Sequence, residues 1–159
     1  MPAKEQRTLR RLVIRDVRKV APFNEEAREL RILNKRLWLH QRDVLAAYTR
    51  EEREIASIEA MPDDRVETIV YRDNLFFDQA FIDHFLRRAR RLGKACRVAF
   101  SPTDPAIKTH AVPLQSGIRV EKGFTEGELY VADLWYFPYG RETKVRPLVI
   151  DTLSKELGY

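Results

Sequence analysis

The stretch from Val66 to Phe100 constrains the fold most, because it reads as one strand, one helix and a second strand. Val66-Glu67-Thr68-Ile69-Val70-Tyr71 is a short β-branched and aromatic run of the kind found in a largely buried strand. After Arg72-Asp73-Asn74 and Leu75-Phe76-Phe77, Asp78 is suited to cap a helix, with Phe77 and Ile82 placed as a hydrophobic staple. Phe81, Ile82, Phe85, Leu86, Ala89 and Leu92 recur at three- and four-residue spacing, and Arg87, Arg88, Arg90 and Arg91 crowd the last turns, where cations suit the helix dipole. Gly93 stops the helix, and Ala95-Cys96-Arg97-Val98-Ala99-Phe100 is the second strand. The helix is long enough for a right-handed parallel crossover, so the unit predicts an α/β fold. In such sheets ligands gather beyond the carboxyl ends of the strands, where Asp73 and Asn74 leave one strand and Ser101-Pro102-Thr103-Asp104 leaves the other.

A chain of 159 residues suits one domain with a real core, expected over 11–159 behind a loose polar segment at 1–10. No apolar run approaches the roughly 20 residues of a membrane span, and Met1-Pro2-Ala3-Lys4-Glu5 lacks the apolar core of a signal peptide, so a cytoplasmic location is expected. The single cysteine, Cys96, falls inside a strand and reads as a small core residue. The charge of +5, from 29 Lys+Arg against 24 Asp+Glu, is spread along the chain. Arg7, Arg10, Arg11, Arg15, Arg18 and Lys19 are dense at the start, but no nucleic-acid motif accompanies them, and a solvated face is the expectation.

Around the central unit, Leu12-Val13-Ile14 begins a short strand, and Asn24 is placed to cap a short turn through Glu25-Glu26-Ala27-Arg28. A helix is expected from about Leu37 to Tyr48, and the capping-box pattern at Thr49-Arg50-Glu51-Glu52 predicts a further helical start. Thr109 to Leu114 suits an extended edge segment, and Gly123 to Gly127 suits a turn. Glu128 to Phe137 reads as a long strand bulged at Asp133, and Val145 to Asp151 offers a last strand paired with it as a hairpin.

No glycine-rich phosphate loop is present, and His40, His84 and His110 are scattered without cysteine partners, which argues against a zinc site. Ser101 and Ser116 lack a nucleophile-elbow setting. Asp73 is the best chemical candidate, since a carboxylate at the carboxyl end of a central strand can hold a divalent metal against a phosphate. The competing reading of Asp73 is a turn residue or cap.

Arg72-Asp73-Asn74-Leu75-Phe76-Phe77, followed by a helix and the strand ending in Phe100, resembles the sugar-1-phosphate nucleotidyltransferase family, in which a Gly-Asp-Asn-Ile/Leu-Phe turn carries the metal-binding aspartate. Leu30-Arg31-Ile32-Leu33-Asn34-Lys35-Arg36-Leu37 is similar to that family's Leu-Leu-Pro-Val-x-Asn-Lys-Pro-Leu segment, and Gly127 to Phe137 is similar to its Gly-Leu-Tyr-Phe-Tyr strand. The resemblance implies an abridged three-layer α/β domain with a predominantly parallel or mixed sheet. It implies a metal, Mg2+ or Mn2+, at Asp73, with Lys35, Arg72, Asn74 and Asp104 around a sugar phosphate or sugar nucleotide. The chain departs from the family in several places. Arg15-Asp16-Val17-Arg18-Lys19-Val20 stands where the family has its Gly-x-Gly-Thr-Arg loop, Glu29 stands for an expected lysine, and the interval from Tyr48 to Val66 leaves no room for the family's second strand and base-reading segment. Without the glycine loop, triphosphate loses its main backbone donors, so catalysis is not expected of the isolated chain.

Abridged domains of this kind precede a left-handed β-helix of hexapeptide repeats in some bacterial sugar-modifying proteins, which raises the expectation of a further domain after Tyr159 or of a homo-oligomer. Two readings result. One is a nucleotidyltransferase-like domain that binds a sugar phosphate or nucleotide. The other is a non-catalytic assembly or partner-binding domain of a longer sugar-modifying protein, using Trp135, Tyr136, Phe137 and Tyr139 as core and interface.

Overall fold

Alternation with a period of two runs through the strands and divides the buried residues between two sheet faces. A computed structural model of the chain describes residues 9–15, 19–20, 25–29, 31–32, 35–49, 52–101, 118–122 and 128–151. In chain order the strands and helices are β1 (Arg10–Ile14), β2 (Lys19–Val20), β3 (Glu25–Glu26), β4 (Arg31–Ile32), β5 (Lys35–Arg36), α1 (Leu37–Leu45), β6 (Glu52–Ile55), β7 (Thr68–Arg72), α2 (Gln79–Leu92), β8 (Cys96–Phe100), β9 (Ile118–Lys122), β10 (Glu128–Phe137) and β11 (Arg146–Val149). Short 3-10 turns cover Ala27–Glu29 and Ile58–Ala60.

The main sheet has the order β11-β8-β10-β7-β1-β6, with β9 paired to the first half of β10. Strands β6, β1 and β7 are parallel, as are β8 and β11, and β10 runs antiparallel to both β7 and β8. The sheet is therefore mixed, and β7 and β8 point the same way on either side of β10. Pairs β2-β3 and β4-β5 form two separate small antiparallel ladders.

Val13, Ile69, Tyr71, Cys96, Val98, Phe100, Ala132, Leu134 and Tyr136 share one core with Val44 and Leu45 of α1 and with Ile82, Phe85, Leu86 and Ala89 of α2. The alternate residues Leu12, Ile14, Val70, Trp135 and Phe137 form the other core with Met61, Ile58 and Val145. Both α-helices thus cover one face. Among the described residues no α-helix packs on the other, so the expected third layer is not found there.

Helix α2 follows its sequence signals. Asp78 Oδ1 accepts from the Phe81 N–H at 2.8 Å, and Gly93 closes the helix at φ +70°, a left-handed conformation that glycine takes without strain. Leu92 is the exception on the expected apolar face: it is exposed, because the last turn extends past the core that ends at Ala89.

Three other expectations are corrected. The segment after Thr49 forms β6, not a helix, because β1 has a second edge to satisfy; Glu52, Arg53 and Glu54 stay exposed, as suits an edge strand, and Ile55 packs on the second core. A strand therefore does fit between Tyr48 and Val66. The last strand makes no hairpin with β10, whose two edges are taken by β7 and β8 and by β9; β11 adds in parallel to β8 at the sheet margin, where Pro147 is tolerated. The loose first segment is also shorter than expected, since Leu9 is buried and Arg10 opens β1. The expected edge segment at Thr109–Leu114 and the turn at Gly123–Gly127 lie outside the described residues.

Phe85 is fully buried. Phe85→Ala should lower the unfolding free energy by about 3–5 kcal/mol in a denaturant titration, and a loss below about 1 kcal/mol would place the ring on the surface. Burial also pushes the Cys96 thiol up to about 12. A thiol reagent at pH 8 should leave the folded protein unmodified and label it fully once unfolded; rapid labelling of the folded chain would contradict the strand assignment.

Candidate functional site

Strand β7 ends where three strands reach a common edge. Its register pairs Arg72 with Ile14, whose own parallel partner in β6 is Ile55, and the Asp73 N–H donates to the Ile14 carbonyl at 2.9 Å. The chain then turns, with the Leu75 N–H on the Arg72 carbonyl at 3.2 Å. Helix α1 holds the following residues: Gln41 Nε2 donates to the Leu75 carbonyl at 2.6 Å, His40 Nε2 lies 2.7 Å from the Phe77 carbonyl, and the His40 ring stacks on Phe76 at 5.0 Å. Asp73 and Asn74 are consequently buried, at 1% and 0% exposure.

A carboxylate this far from water needs a positive or hydrogen-bonding neighbour. Arg28, on the Ala27–Glu29 turn, brings its Nε to 3.7 Å from Asp73 Oδ2. The same guanidinium lies 3.5 Å from Glu54 of β6 and 4.0 Å from Glu29, and its carbon sits 5.7 Å from the centre of the Trp38 ring. Glu29 is also held by Arg36 at 3.3 Å. One step down the same face, the buried Arg11 donates to the Tyr71 hydroxyl at 3.0 Å and to Glu52 at 3.2 Å. Burial, opposed by Arg11, pushes the Tyr71 phenol up to about 12, so it stays neutral.

The opposite face of the same edge carries a separate ion cluster. Arg72 Nε donates to Asp133 Oδ2 at 2.8 Å, Arg97 Nη2 donates to Asp133 Oδ1, and Arg97 also donates to the Ala132 carbonyl at 2.8 Å while stacking on Trp135 at 4.6 Å. Asp133 lies in a register shift of β10 between Val131 and Trp135, which agrees with the bulge expected there.

The expected site residues are therefore dispersed. Asp73 and Asn74 are adjacent at the carboxyl edge. Arg72 turns away from Asp73 because neighbouring strand residues point to opposite faces, and its charge is committed to Asp133. Lys35 Nζ is bound to Asp43 at 2.6 Å, an interaction that holds the Asp43 carboxyl below its ordinary range. Asp104 lies outside the described residues. Arg28 and Glu54 join the site without a sequence signal that singles them out, since only the folded chain brings them to Asp73. The acid-within-apolar pattern at Asp133 was a signal, but for a bulge and not for its arginine partners.

Among the described residues, no three His, Cys, Asp or Glu side chains are arranged to hold a metal ion, and no helix is long and apolar enough to cross a membrane. No family model matches the chain, and no curated protein matches it.

Removing Asp133 would leave two guanidinium groups without their shared acceptor. Asp133→Ala should cost about 3–5 kcal/mol in urea unfolding; a cost under about 1 kcal/mol would mean that water, and not the carboxylate, satisfies Arg72 and Arg97.

Proposed function

We propose that this chain is a nucleotidyltransferase-like binding domain that receives a sugar phosphate or nucleotide at Asp73 and does not carry out nucleotidyl transfer by itself. The observation that carries this reading is the buried Asp73-Asn74 pair at the carboxyl edge of β7, beside the end of β1 and within reach of an arginine. A carboxylate buried in such a crevice is a candidate ligand site, because its desolvation is costly and a buried ion pair adds little stability in return. The mixed α/β sheet is compatible with the resemblance.

Asp73 is a single carboxylate of the kind that Mg2+ or Mn2+ takes, and since no three acidic or histidine side chains are arranged around a cation among the described residues, the remaining donors would come from the ligand and water. When bound, such a cation neutralises phosphate charge. Asp73 would hold it, and Arg28 would bind a phosphate oxygen. The glycine loop that would supply backbone donors to a triphosphate is missing from the sequence, which is why binding is proposed without transfer. The partner-binding alternative draws less support, because Trp135, Tyr136 and Phe137 are core residues and only Tyr139 of that aromatic group is exposed.

Ligand that prefers the folded state raises stability by RT ln(1 + [L]/Kd), so millimolar Mn2+ with a sugar nucleotide at about 10–100 times Kd should raise the melting temperature by about 3–10 °C. Asp73→Ala should abolish that shift while the unliganded protein still unfolds cooperatively. Absence of any shift with a panel of sugar phosphates and nucleotides would sink the reading. Pyrophosphate release from a nucleoside triphosphate, with Mg2+ and a sugar phosphate present and lost in Asp73→Asn, would show the domain to be an enzyme after all.

A further inference from the structure

The cations of this protein divide by position. Arg10, Arg72, Arg90 and Arg97 are each set against an acid, whereas Arg65, Arg91, Lys94, Arg141, Lys144 and Arg146 are exposed and make no ion pair among the described residues. The topology gathers these six at one end of the sheet. Helix α2 runs back from the carboxyl end of β7 and leaves Arg91 and Lys94 at the amino end of β8. Strand β10 is antiparallel to β7 and β8, so the connection from β10 to β11 crosses the same end with Arg141 and Lys144. Arg146 then opens β11, and its N–H donates to the Ala95 carbonyl at 3.0 Å, beside Lys94. Arg65 precedes β7 and lies so near this connection that a Cβ on Gly140 would stand 2.7 Å from the Arg65 backbone nitrogen. Of the acids at this end, Asp64 is held by Arg10, and Glu67 by Arg90 and Tyr136. Asp63 and Glu142 remain exposed against six cations.

Two further observations set this end apart from an ordinary solvated surface. Arg65 has φ +60°, the single positive φ outside glycine among the described residues. Glycine or asparagine suits that conformation, and an exposed arginine without an acid partner adds nothing to the fold that would offset the strain. Tyr139, at 63% exposure, and Leu92, at 36%, lie at the same end and are two of the three large apolar residues exposed among the described ones. We propose that the amino end of the sheet docks on an anionic lipid bilayer, with the six cations against headgroup phosphates and Tyr139 and Leu92 entering the interface. A single-stranded nucleic acid offers the same phosphate charge but fits less well. Such strands take successive aromatic rings for stacking, whereas Tyr139 is the one exposed large aromatic among the described residues and Leu92 has no face to stack. The docking surface is at the opposite end of β7 from Asp73, so the docked protein keeps its carboxyl edge toward water, and the proposal stands independently of the Asp73 reading.

The test titrates the full chain with vesicles of phosphatidylcholine, with or without about 30% phosphatidylserine, and reads bound protein by co-sedimentation. Saturable binding is expected to the anionic vesicles alone, weakened about tenfold or more between about 0.1 and about 0.5 M salt. A basic residue near such a surface is worth about fivefold in affinity, so Arg141→Gln and Lys144→Gln should each weaken binding by about that factor. Arg53→Gln removes the same charge from the exposed strand β6 and should stay within about twofold of wild type. Tyr139→Ser should weaken binding roughly threefold and leave its salt dependence unchanged. Arg65→Asn should weaken it about fivefold while the melting temperature holds or rises; a lower melting temperature would assign Arg65 to the fold and remove it from the surface. Equal binding to vesicles without phosphatidylserine, or equal losses in Arg53→Gln and Arg141→Gln, overturns the proposal. So does tighter binding of a mixed-sequence single-stranded oligonucleotide than of anionic vesicles, which would give the surface to nucleic acid. Absence of binding to anionic vesicles overturns it and leaves the Asp73 site untouched.

Discussion

Asp133 is the point on which the central strands depend. Its carboxylate accepts from Arg72 of β7 and Arg97 of β8 and so ties together the three strands β7, β10 and β8, the middle one antiparallel to its neighbours. The group is almost wholly buried, and a lone carboxylate at that depth would be prohibitive without both partners. Alternation along β10 puts Asp133 on the face of Trp135 and Phe137, the face that also carries Arg72 and Arg97. With β10 locked between them, β7 and β8 keep a common direction, and helix α2, which connects them, packs across one face.

That arrangement separates two kinds of charge at the carboxyl edge. On one face, Arg72 and Arg97 share Asp133 and serve the sheet. On the other, Asp73 faces Arg28 through a longer contact, among carboxylates from two other segments. A network at the amino end supports the frame in the same manner as Asp133: Glu67 binds Arg90 and accepts from Tyr136, whose phenol is pushed up by burial and by that carboxylate. The tight pairs hold the fold, and Asp73 lies apart from them, buried at the strand end.

Much of the fold is legible along the chain where local signals and burial agree. The β7-α2-β8 unit has an N-cap at Asp78, a left-handed glycine at Gly93 and apolar periodicity between them, and all three act over a few residues. The reading fails where the deciding partner is distant. Thr49 to Glu52 carries a helical start signal, but β6 forms because β1 needs a neighbour 40 residues away in sequence. β11 has the composition of a hairpin strand, and only the prior pairing of β10 sends it to β8. The site divides in the same way. Asp73 is visible because it follows a strand; Arg28 is not, because nothing local distinguishes it from other surface arginines. Lys35 and Arg72 had the expected charge in the expected order, yet each is held by an acid, Asp43 and Asp133, that the order of residues does not announce.

The central claim is that Asp73 and Arg28 form a ligand site while the other paired arginines are structural. Side-chain Nε–H resonances of arginine, followed by nuclear magnetic resonance during addition of Mg2+ and a sugar nucleotide, test it most directly, since each guanidinium reports its own hydrogen bonding. The account predicts that the Arg28 Nε–H signal, weakly protected in the free protein, moves and gains protection, while those of Arg10, Arg72, Arg90 and Arg97 stay where they are. An unchanged Arg28 signal at saturating ligand, or movement of Arg72 and Arg97 in its place, would contradict it.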